Sequence, residues 1–369
     1  MQTELTNGSV LKNIALFSLP FFLSYFLQTL YGLADLFIIG QFDGVDSITA
    51  VSIGSQIMHM ITVMIVGLSM GATVCIAQAV GAKDKEKLRY CIGNTVTVFF
   101  IVSLILTGLL LFFTDFIVGV VKTPAEAVAA TKEYLIICFI GIPLITAYNI
   151  VSSILRGMGD SKSPMYFIAI ACVANIILDY VFIVYFKLGA VGAALGTTLS
   201  QGISIICALT YINRNNSSDS FSFAYLKLKG NIAKRLLRIG IPICAQDGFI
   251  QVAFMVITVI ANMRGLTDAA AVGIVEKLIS FIFLVPSSML STVSAMGAQN
   301  IGAGKIDRAK QTLRYAIYIT FIFGVIVGIL FQFIAENALE LFTENLIPLQ
   351  TANLLPSILK AGYIGRITT

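Results

Sequence analysis

The chain has 369 residues, of which 57% are apolar and only 12% are charged. Soluble domains carry ~25% charged residues, so this composition and a mean hydropathy of +0.92 exclude a water-soluble protein. The net charge of +5 requires no nucleic-acid partner, because Lys and Arg lie in short loops between apolar runs. Many of those runs exceed the ~20 residues that cross a bilayer. The sequence therefore predicts an all-α, polytopic membrane protein.

Nine apolar runs are predicted to cross the membrane. In chain order they are 14–40, 51–77, 92–113, 134–155, 165–186, 190–212, 239–263, 271–296 and 313–335. The first run is too long for a cleaved signal peptide. The hydrophilic break after the sixth run predicts a division into four parts. These are an N-terminal lobe over 1–212, a cytoplasmic linker over 213–238, a partial C-terminal lobe over 239–344 and an atypical tail over 345–369.

Basic residues are unevenly distributed between the two sets of loops. One set contains only Lys122, Lys132, Lys187 and Arg264, whereas the other contains runs such as 83–89 and 305–314. Cytoplasmic loops are enriched in Lys and Arg. The pattern predicts a multi-pass protein of the inner (plasma) membrane with a cytoplasmic N-terminus.

An internal repeat relates the two lobes. The segment 77–82 (AQAVGA) recurs as 298–303 (AQNIGA), an offset of 221 residues from 77 to 298. Shorter echoes at nearly the same offset relate 18–20 to 240–242 and 50–53 to 271–274. An even number of spans separates the copies, so both lobes enter the membrane in the same sense. Parallel repeats of this kind are typical of transporters with a substrate cavity between the lobes.

Ionisable side chains within membrane spans are costly and usually functional. Five lie inside the predicted spans: Asp35, Asp179, Asp247, Glu276 and Lys277. Gln28, Tyr31 and Asp35 share one face of the first span, since they are spaced by three and four residues. Asn175 lies one turn before Asp179 on the same face. These two polar stripes are the strongest site candidates.

The sixth span adds further oxygen and amide groups through Thr197, Thr198 and Gln201. Carboxylate, carboxamide and hydroxyl oxygens suit a sodium ion, while two adjacent carboxylates in a low dielectric could instead carry a proton. The alternative is that these groups only hold helices together by hydrogen bonds. In the C-terminal lobe, Gln246 and Asp247 are candidates for a cavity wall. For Glu276 and Lys277, packing and cavity-entrance roles are equally open.

Several motifs together resemble the multidrug and toxic compound extrusion (MATE) transporters of prokaryotes. They are 34–35 (AD), 77–82, 155–164 (LRGMGDSKSP), 175–179 (NIILD), 189–194 (GAVGAA) and 298–304. The family consists of two-lobed bundles of twelve helices, six in each lobe, that expel cationic amphipathic compounds in exchange for sodium ions or protons. The likeness ends near residue 343, so it implies a chain that stops after nine of the twelve helices.

The resemblance also implies a site. Asp35, Asn175, Asp179 and one threonine of the pair Thr197 and Thr198 match the N-lobe cation site of one branch of the family. Other members have a functional Glu in the seventh span. The corresponding segment here, 249–252 (FIQV), has no acidic residue. No catalytic residue is expected, and no metal apart from a sodium ion at Asp35, Asn175 and Asp179.

The expected function is secondary active multidrug efflux by a monomer, with organic cations and the lipid bilayer as partners and no cofactor besides the transported ion. Two alternatives are a lipid-linked oligosaccharide flippase of the same superfamily and a non-functional truncated product. A flippase would need several basic residues in its cavity, whereas only Lys277 lies inside a span. An intramembrane prenyltransferase would need two Asp-rich motifs, for which the acidic residues in the loops are too sparse. The substrates and the choice between sodium and proton stay open.

Overall fold

The computed structural model describes residues 5–214, 225–264 and 266–346, without the side chains of 262, 266–271, 274, 277 and 331–346. In this part of the chain the regular structure is helical and includes no strand. The first half contains α1 (Val10–Phe42), α2 (Val45–Gly81), α3 (Lys85–Phe112), α4 (Thr114–Val120), α5 (Val128–Ile140), α6 (Ile142–Gly157), α7 (Lys162–Asp179) and α8 (Gly189–Arg214). The second half contains α9 (Gly230–Arg264), α10 (Leu266–Ile282), α11 (Leu284–Gly302) and α12 (Ile306–Leu346).

Eight stretches of the described helices are long and apolar enough to cross a membrane, and a bent pair makes a possible ninth. The pair includes α5 and α6, which meet at Gly141 with a bend of 44°. Pro143 in the first turn of α6 follows this bend, where a missing N–H is tolerated. The bent pair corresponds to the predicted span 134–155. The prediction of an all-α, multi-pass membrane protein is confirmed.

The eighth predicted span, 271–296, is divided between two helices. The backbone turns at Phe283, after α10 ends at Ile282 and before α11 begins at Leu284. Pro286 lies in the first turn of α11, and its ring would clash with the carbonyl of Ile282 in a continuous helix. The membrane-spanning stretch at this point is 278–302. An apolar run therefore does not reveal a break inside it.

The predicted linker, 213–238, is shorter in the structure because helices extend into both of its ends. Helix α8 continues to Arg214 and α9 begins at Gly230. Residues 215–224 of this linker and 347–369 of the predicted tail lie outside the described residues. We refer to residues 5–214 as the N-half and to 225–346 as the C-half.

The two halves meet along α2, which packs against both α9 and α11, while α1 also packs against α11. Glycines allow the backbones to approach closely, as in other membrane helix pairs. A Cβ atom on Gly71 would clash with the Leu236 carbonyl of α9, and one on Gly240 would clash with the Leu68 carbonyl of α2. This seam between the halves is therefore built from direct backbone contact.

The two copies of the repeated motif pack on each other at one end of the seam. A Cβ atom on Gly81 would clash with the Gln299 carbonyl, and one on Gly302 would clash with the Gln78 carbonyl. Such a reciprocal contact is what a two-fold relation between the halves produces. The Lys-containing turns 82–84 and 303–305 follow directly, so we call this the basic end.

The seam is tightest at the basic end. On α2 the glycine contacts to the C-half run from Gly67 to Gly81, in the part of the helix nearer that end. Towards the other end, α9 exposes Val256 and, at 79% of its surface, Met263. The glycine contacts between the halves are therefore concentrated at the basic end.

Candidate functional site

Three helices of the N-half bring the candidate cation-binding residues together. Asp35 lies on α1, Asp179 is the last residue of α7, and Thr197 lies on α8. Helix α8 packs closely against α7 because its facing residues are small. At Gly196, a Cβ atom would clash with Asp179 Oδ1. Only glycine at this position leaves room for the carboxylate.

The two carboxyl groups lie side by side in the protein interior. Asp35 is 4% exposed and Asp179 is fully buried, and the two carboxyl groups are near enough to interact electrostatically. Thr197 Oγ1 donates to Asp35 Oδ2 at 3.4 Å, and Asn175 Nδ2 donates to Asp179 Oδ2 at 3.3 Å. Both bonds are longer than the ~2.8–3.0 Å of strong ones. Asp35, Asn175, Asp179 and Thr197 form what we call the acidic site.

Three oxygen atoms of the acidic site have no hydrogen-bond partner. They are Asp35 Oδ1, Asn175 Oδ1 and Asp179 Oδ1. The ion pairs found among the described residues leave both carboxylates without a basic partner. Buried, unpartnered oxygens are costly, and two adjacent negative charges repel each other. A cation or a proton bound among these oxygens would give them a partner and would reduce the repulsion between the two carboxylates.

A π-helix over Tyr180–Tyr185 follows Asp179 directly. Such wide turns are rare and occur frequently at functional sites, since they change the direction of the preceding side chains. No pattern in the sequence predicts this π-helix, because its residues continue an ordinary apolar run. The role of Gly196 was also missed, since a glycine among other small residues carries no separate signal.

The structure separates the two candidate threonines. Thr198 points towards the bend between α5 and α6, where a Cβ atom on Gly141 would lie 2.8 Å from Thr198 Oγ1. Thr197 alone contacts Asp35, because successive residues of a helix point about 100° apart.

The other candidates of the N-half lie around this site. Tyr31 is beside Asp35, one turn earlier on α1. Gln28 is half-buried further along the same face, and Gln201 is buried on α8, one turn after Thr197.

The candidates of the C-half do not form a second cluster. Asp247 is half-buried, and its carboxylate rests on α2 at Gly67. Gln246 is exposed, and Glu276 accepts a hydrogen bond from Thr258 at 2.5 Å. The contacts of the described side chains join neither acid to the acidic site. The side chain of Lys277 lies outside the described residues.

Two helical halves joined in parallel across a glycine-lined seam, with uncompensated acids buried in one of them, are typical of membrane transporters. The chain matches the MatE family model over residues 20–181 and 242–367. It therefore belongs to the MATE family of multidrug efflux transporters and is not an enzyme. The family and the two-lobed fold predicted from the sequence are confirmed. The second match also includes most of the predicted atypical tail.

Relatives with curated names point to the same family. The chain is 32% identical over 331 residues to the probable multidrug resistance protein YoeA of Bacillus subtilis, covering 87% of this chain and 71% of that protein. It is 28% identical over 319 residues to the multidrug export protein MepA of Staphylococcus haemolyticus, covering 86% and 70%.

Solved structures share the fold. A MOP superfamily transporter from Pyrococcus furiosus superposes with a TM-score of 0.86 at 25% identity, over 100% of this chain and 81% of that one. An outward-facing multidrug resistance MATE transporter superposes with a TM-score of 0.84 at 24% identity, over 98% and 80%.

Proposed function

We propose that this protein exports cationic, amphipathic compounds in exchange for sodium ions or protons, and that the acidic site couples the two movements. The observation that carries the proposal is the pair of buried carboxylates with unpartnered oxygens and no basic partner. Such a site favours a small cation or a proton over an empty state.

Helix α1 provides a route from the acidic site to the C-half. The same helix that carries Asp35 also contacts α11, through a hydrogen bond of 2.7 Å between Tyr25 Oη and Ser291 Oγ. Phe26 packs on Phe281 of α10 at 6.3 Å between ring centroids. Binding of a cation relieves the repulsion that acts on α1, and the change reaches the seam through these contacts. A ligand shifts an equilibrium only through differential affinity for its states, and this arrangement supplies that difference.

Acidic and apolar side chains of the C-half favour cationic and apolar substrates. Asp247 and Glu276 place negative charge in the C-half, and α9 exposes Phe249 and Val252 nearby. The P. furiosus transporter is described as having a binding pocket of reverse polarity that suggests a different function. An exporter of anionic lipid-linked sugars is the second candidate, and the acidic residues Asp247 and Glu276 of the C-half disfavour it.

Efflux from proteoliposomes tests the proposal. The chain is reconstituted with a fluorescent organic cation, and the sodium and proton gradients are imposed one at a time. We expect one gradient to drive efflux, and Asp35→Asn to abolish that dependence. The matched control is Asp46→Asn, which removes an exposed acid in the first turn of α2. Efflux that depends on neither gradient would contradict the coupling role. So would efflux by Asp35→Asn with an unchanged dependence on the gradient. Movement of an anionic lipid analogue alone would favour the flippase, and no transport at all would favour a non-functional product.

The proposed orientation places the basic end in the cytoplasm and the end of α9 at Met263 on the outer side. It follows from the uneven distribution of Lys and Arg. In a background without the six native cysteines, an impermeant maleimide added to whole cells should label Met263→Cys and leave Glu86→Cys unlabelled. The reverse result would invert the topology.

A further inference from the structure

Arg156 is a buried charge without a partner. It lies in the last turn of α6 and is 7% exposed. Its Nε atom is buried without a hydrogen-bond partner, and the ion pairs of the described residues do not include its guanidinium group. The two terminal nitrogens are not among the fully buried, unpartnered atoms. The guanidinium lies over the ring of Phe21, with Cζ 5.1 Å from the ring centroid. This ring and the carboxyl end of α6 compensate the charge only in part.

The acid nearest to Arg156 in the sequence, Asp160, already has hydrogen-bond partners. Asp160 accepts hydrogen bonds from Ser163 Oγ at 2.6 Å and from the backbone N–H groups of Lys162 and Ser163. Tyr211 Oη adds a fourth contact at 3.4 Å. Asp160 thus fixes the start of α7 and leaves the guanidinium of Arg156 unpaired.

The charge lies where the two halves meet at the basic end. The carbonyl of the next residue, Gly157, accepts a hydrogen bond from Gln299 Nε2 of the C-half at 2.9 Å. Phe21, which the guanidinium covers, belongs to a buried cluster with Met289 and Met296 of α11. Separation of the halves at this end would open the environment of Arg156 to water.

Burial of most of an unpaired charge opposes the state in which it is buried, because the lost hydration is replaced only in part. The closed basic end therefore contains two opposing elements. The reciprocal packing of Gly81 and Gly302 stabilises closure, and the unpaired guanidinium of Arg156 destabilises it. A transporter that exposes its site alternately to two sides needs each closed state to be reversible.

We propose that Arg156 is a positioning residue for alternating access, whose unpaired charge at the seam keeps closure of the basic end reversible. The inference rests on the proposed function only in requiring that the two halves separate at this end. It concerns a different residue and a different step from ion coupling at the acidic site.

The test measures opening of the basic end without drug or gradient, so that a failure of ion coupling does not affect it. Met296→Cys, at a fully buried position of the seam, serves as a reporter in nanodiscs in a background without native cysteines. Its rate of alkylation by a maleimide reports the fraction of time that the seam is open. We expect Arg156→Met to slow alkylation by about tenfold or more, since it removes the charge but keeps an apolar chain of similar length. Arg156→Lys should stay close to the unsubstituted protein.

Arg238→Met is the matched control, because Arg238 is exposed in the first part of α9 near the same end. Its alkylation rate should not change. A faster rate in Arg156→Met would mean that the arginine holds the seam together, and an equal rate would mean that its charge does not influence closure. Failure of both Arg156→Met and Arg156→Lys to fold would assign a purely structural role. Each of these three outcomes would overturn the proposal.

Discussion

The N-half and the C-half share a packing motif but differ in their buried polar groups. At the seam, Gly81 and Gly302 make the same contact in opposite directions. In the N-half, side chains from α1, α7 and α8 meet in the acidic site, whereas in the C-half Asp247 and Glu276 lie apart. The repeat therefore specifies how the halves pack, whereas the buried polar side chains differ between them.

The difference in burial explains why coupling is proposed for one half only. Asp179 is fully buried and has an unpartnered oxygen, so its charge depends on what binds beside it. Asp247 is only half-buried, and Glu276 has a hydroxyl partner in Thr258. Partly exposed or paired carboxylates respond more weakly to a small cation than fully buried, unpartnered ones. Substitution of one acid by its amide in each half distinguishes a buried, unpartnered carboxylate from a partly exposed or paired one.

The largest effect is expected from Asp179→Asn, compared with Glu276→Gln. The first should abolish gradient-driven efflux, since coupling energies of about 1–3 kcal/mol correspond to about 5–150-fold changes. The second should keep the dependence on the gradient, because it lies outside the acidic site. Efflux rates with and without the gradient measure both. If Asp179→Asn retained coupling and Glu276→Gln lost it, the coupling site would lie in the C-half.

Gly196→Ala should weaken the acidic site without removing any charge. The new methyl group would overlap Asp179 Oδ1, and overpacking of this kind costs about 1–3 kcal/mol. We expect a lower melting temperature and weaker stabilisation by the coupling ion, measured by thermal unfolding in detergent. Gly202→Ala on the same helix is the control, because its Cβ atom would lie 3.6 Å from Leu144 Cδ1, an ordinary contact. Equal effects of the two substitutions would show that the space beside Asp179 is not needed.

Equivalent substitutions in the two halves should weaken the seam by the same amount. Gly81→Ala and Gly302→Ala each insert a methyl group against a backbone carbonyl of the opposite half. We expect both to speed alkylation of Met296→Cys by similar factors. Each should destabilise the closed seam by about 1 kcal/mol, the low end of the cost of overpacking. Gly108→Ala, which has open space around its Cβ position, should have no effect. A response to only one of the two would contradict the reciprocal contact.

The smallest effect distinguishes the two neighbouring threonines. Thr197→Val removes the donor of a long hydrogen bond to Asp35, which contributes about 0.5–1.5 kcal/mol at most. Thr198→Val keeps the same volume and leaves the acidic site untouched. The concentration of the coupling ion that gives half-maximal efflux should rise in the first variant only. A rise in Thr198→Val alone would reverse the assignment.

The sequence by itself determined the helical, membrane-spanning character, the family and the residue types of the site. Apolar runs longer than the bilayer is thick require helices, because backbone groups have no other partners in lipid. The spacing of Gln28, Tyr31 and Asp35 places them on one face, since the helical period is constant. The repeat 77–82 and 298–303 indicated two related halves, and these segments meet at the seam.

Only the tertiary structure decided which side chains meet. The rotation of each helix about its axis depends on its neighbours, so Thr197 and Thr198 could not be separated from their position in the chain. The π-helix after Asp179 and the break at Phe283 interrupt runs that remain apolar throughout. Whether a charge such as that of Arg156 has a partner depends on groups distant in the chain, because its hydration and pairing are set by what packs around it.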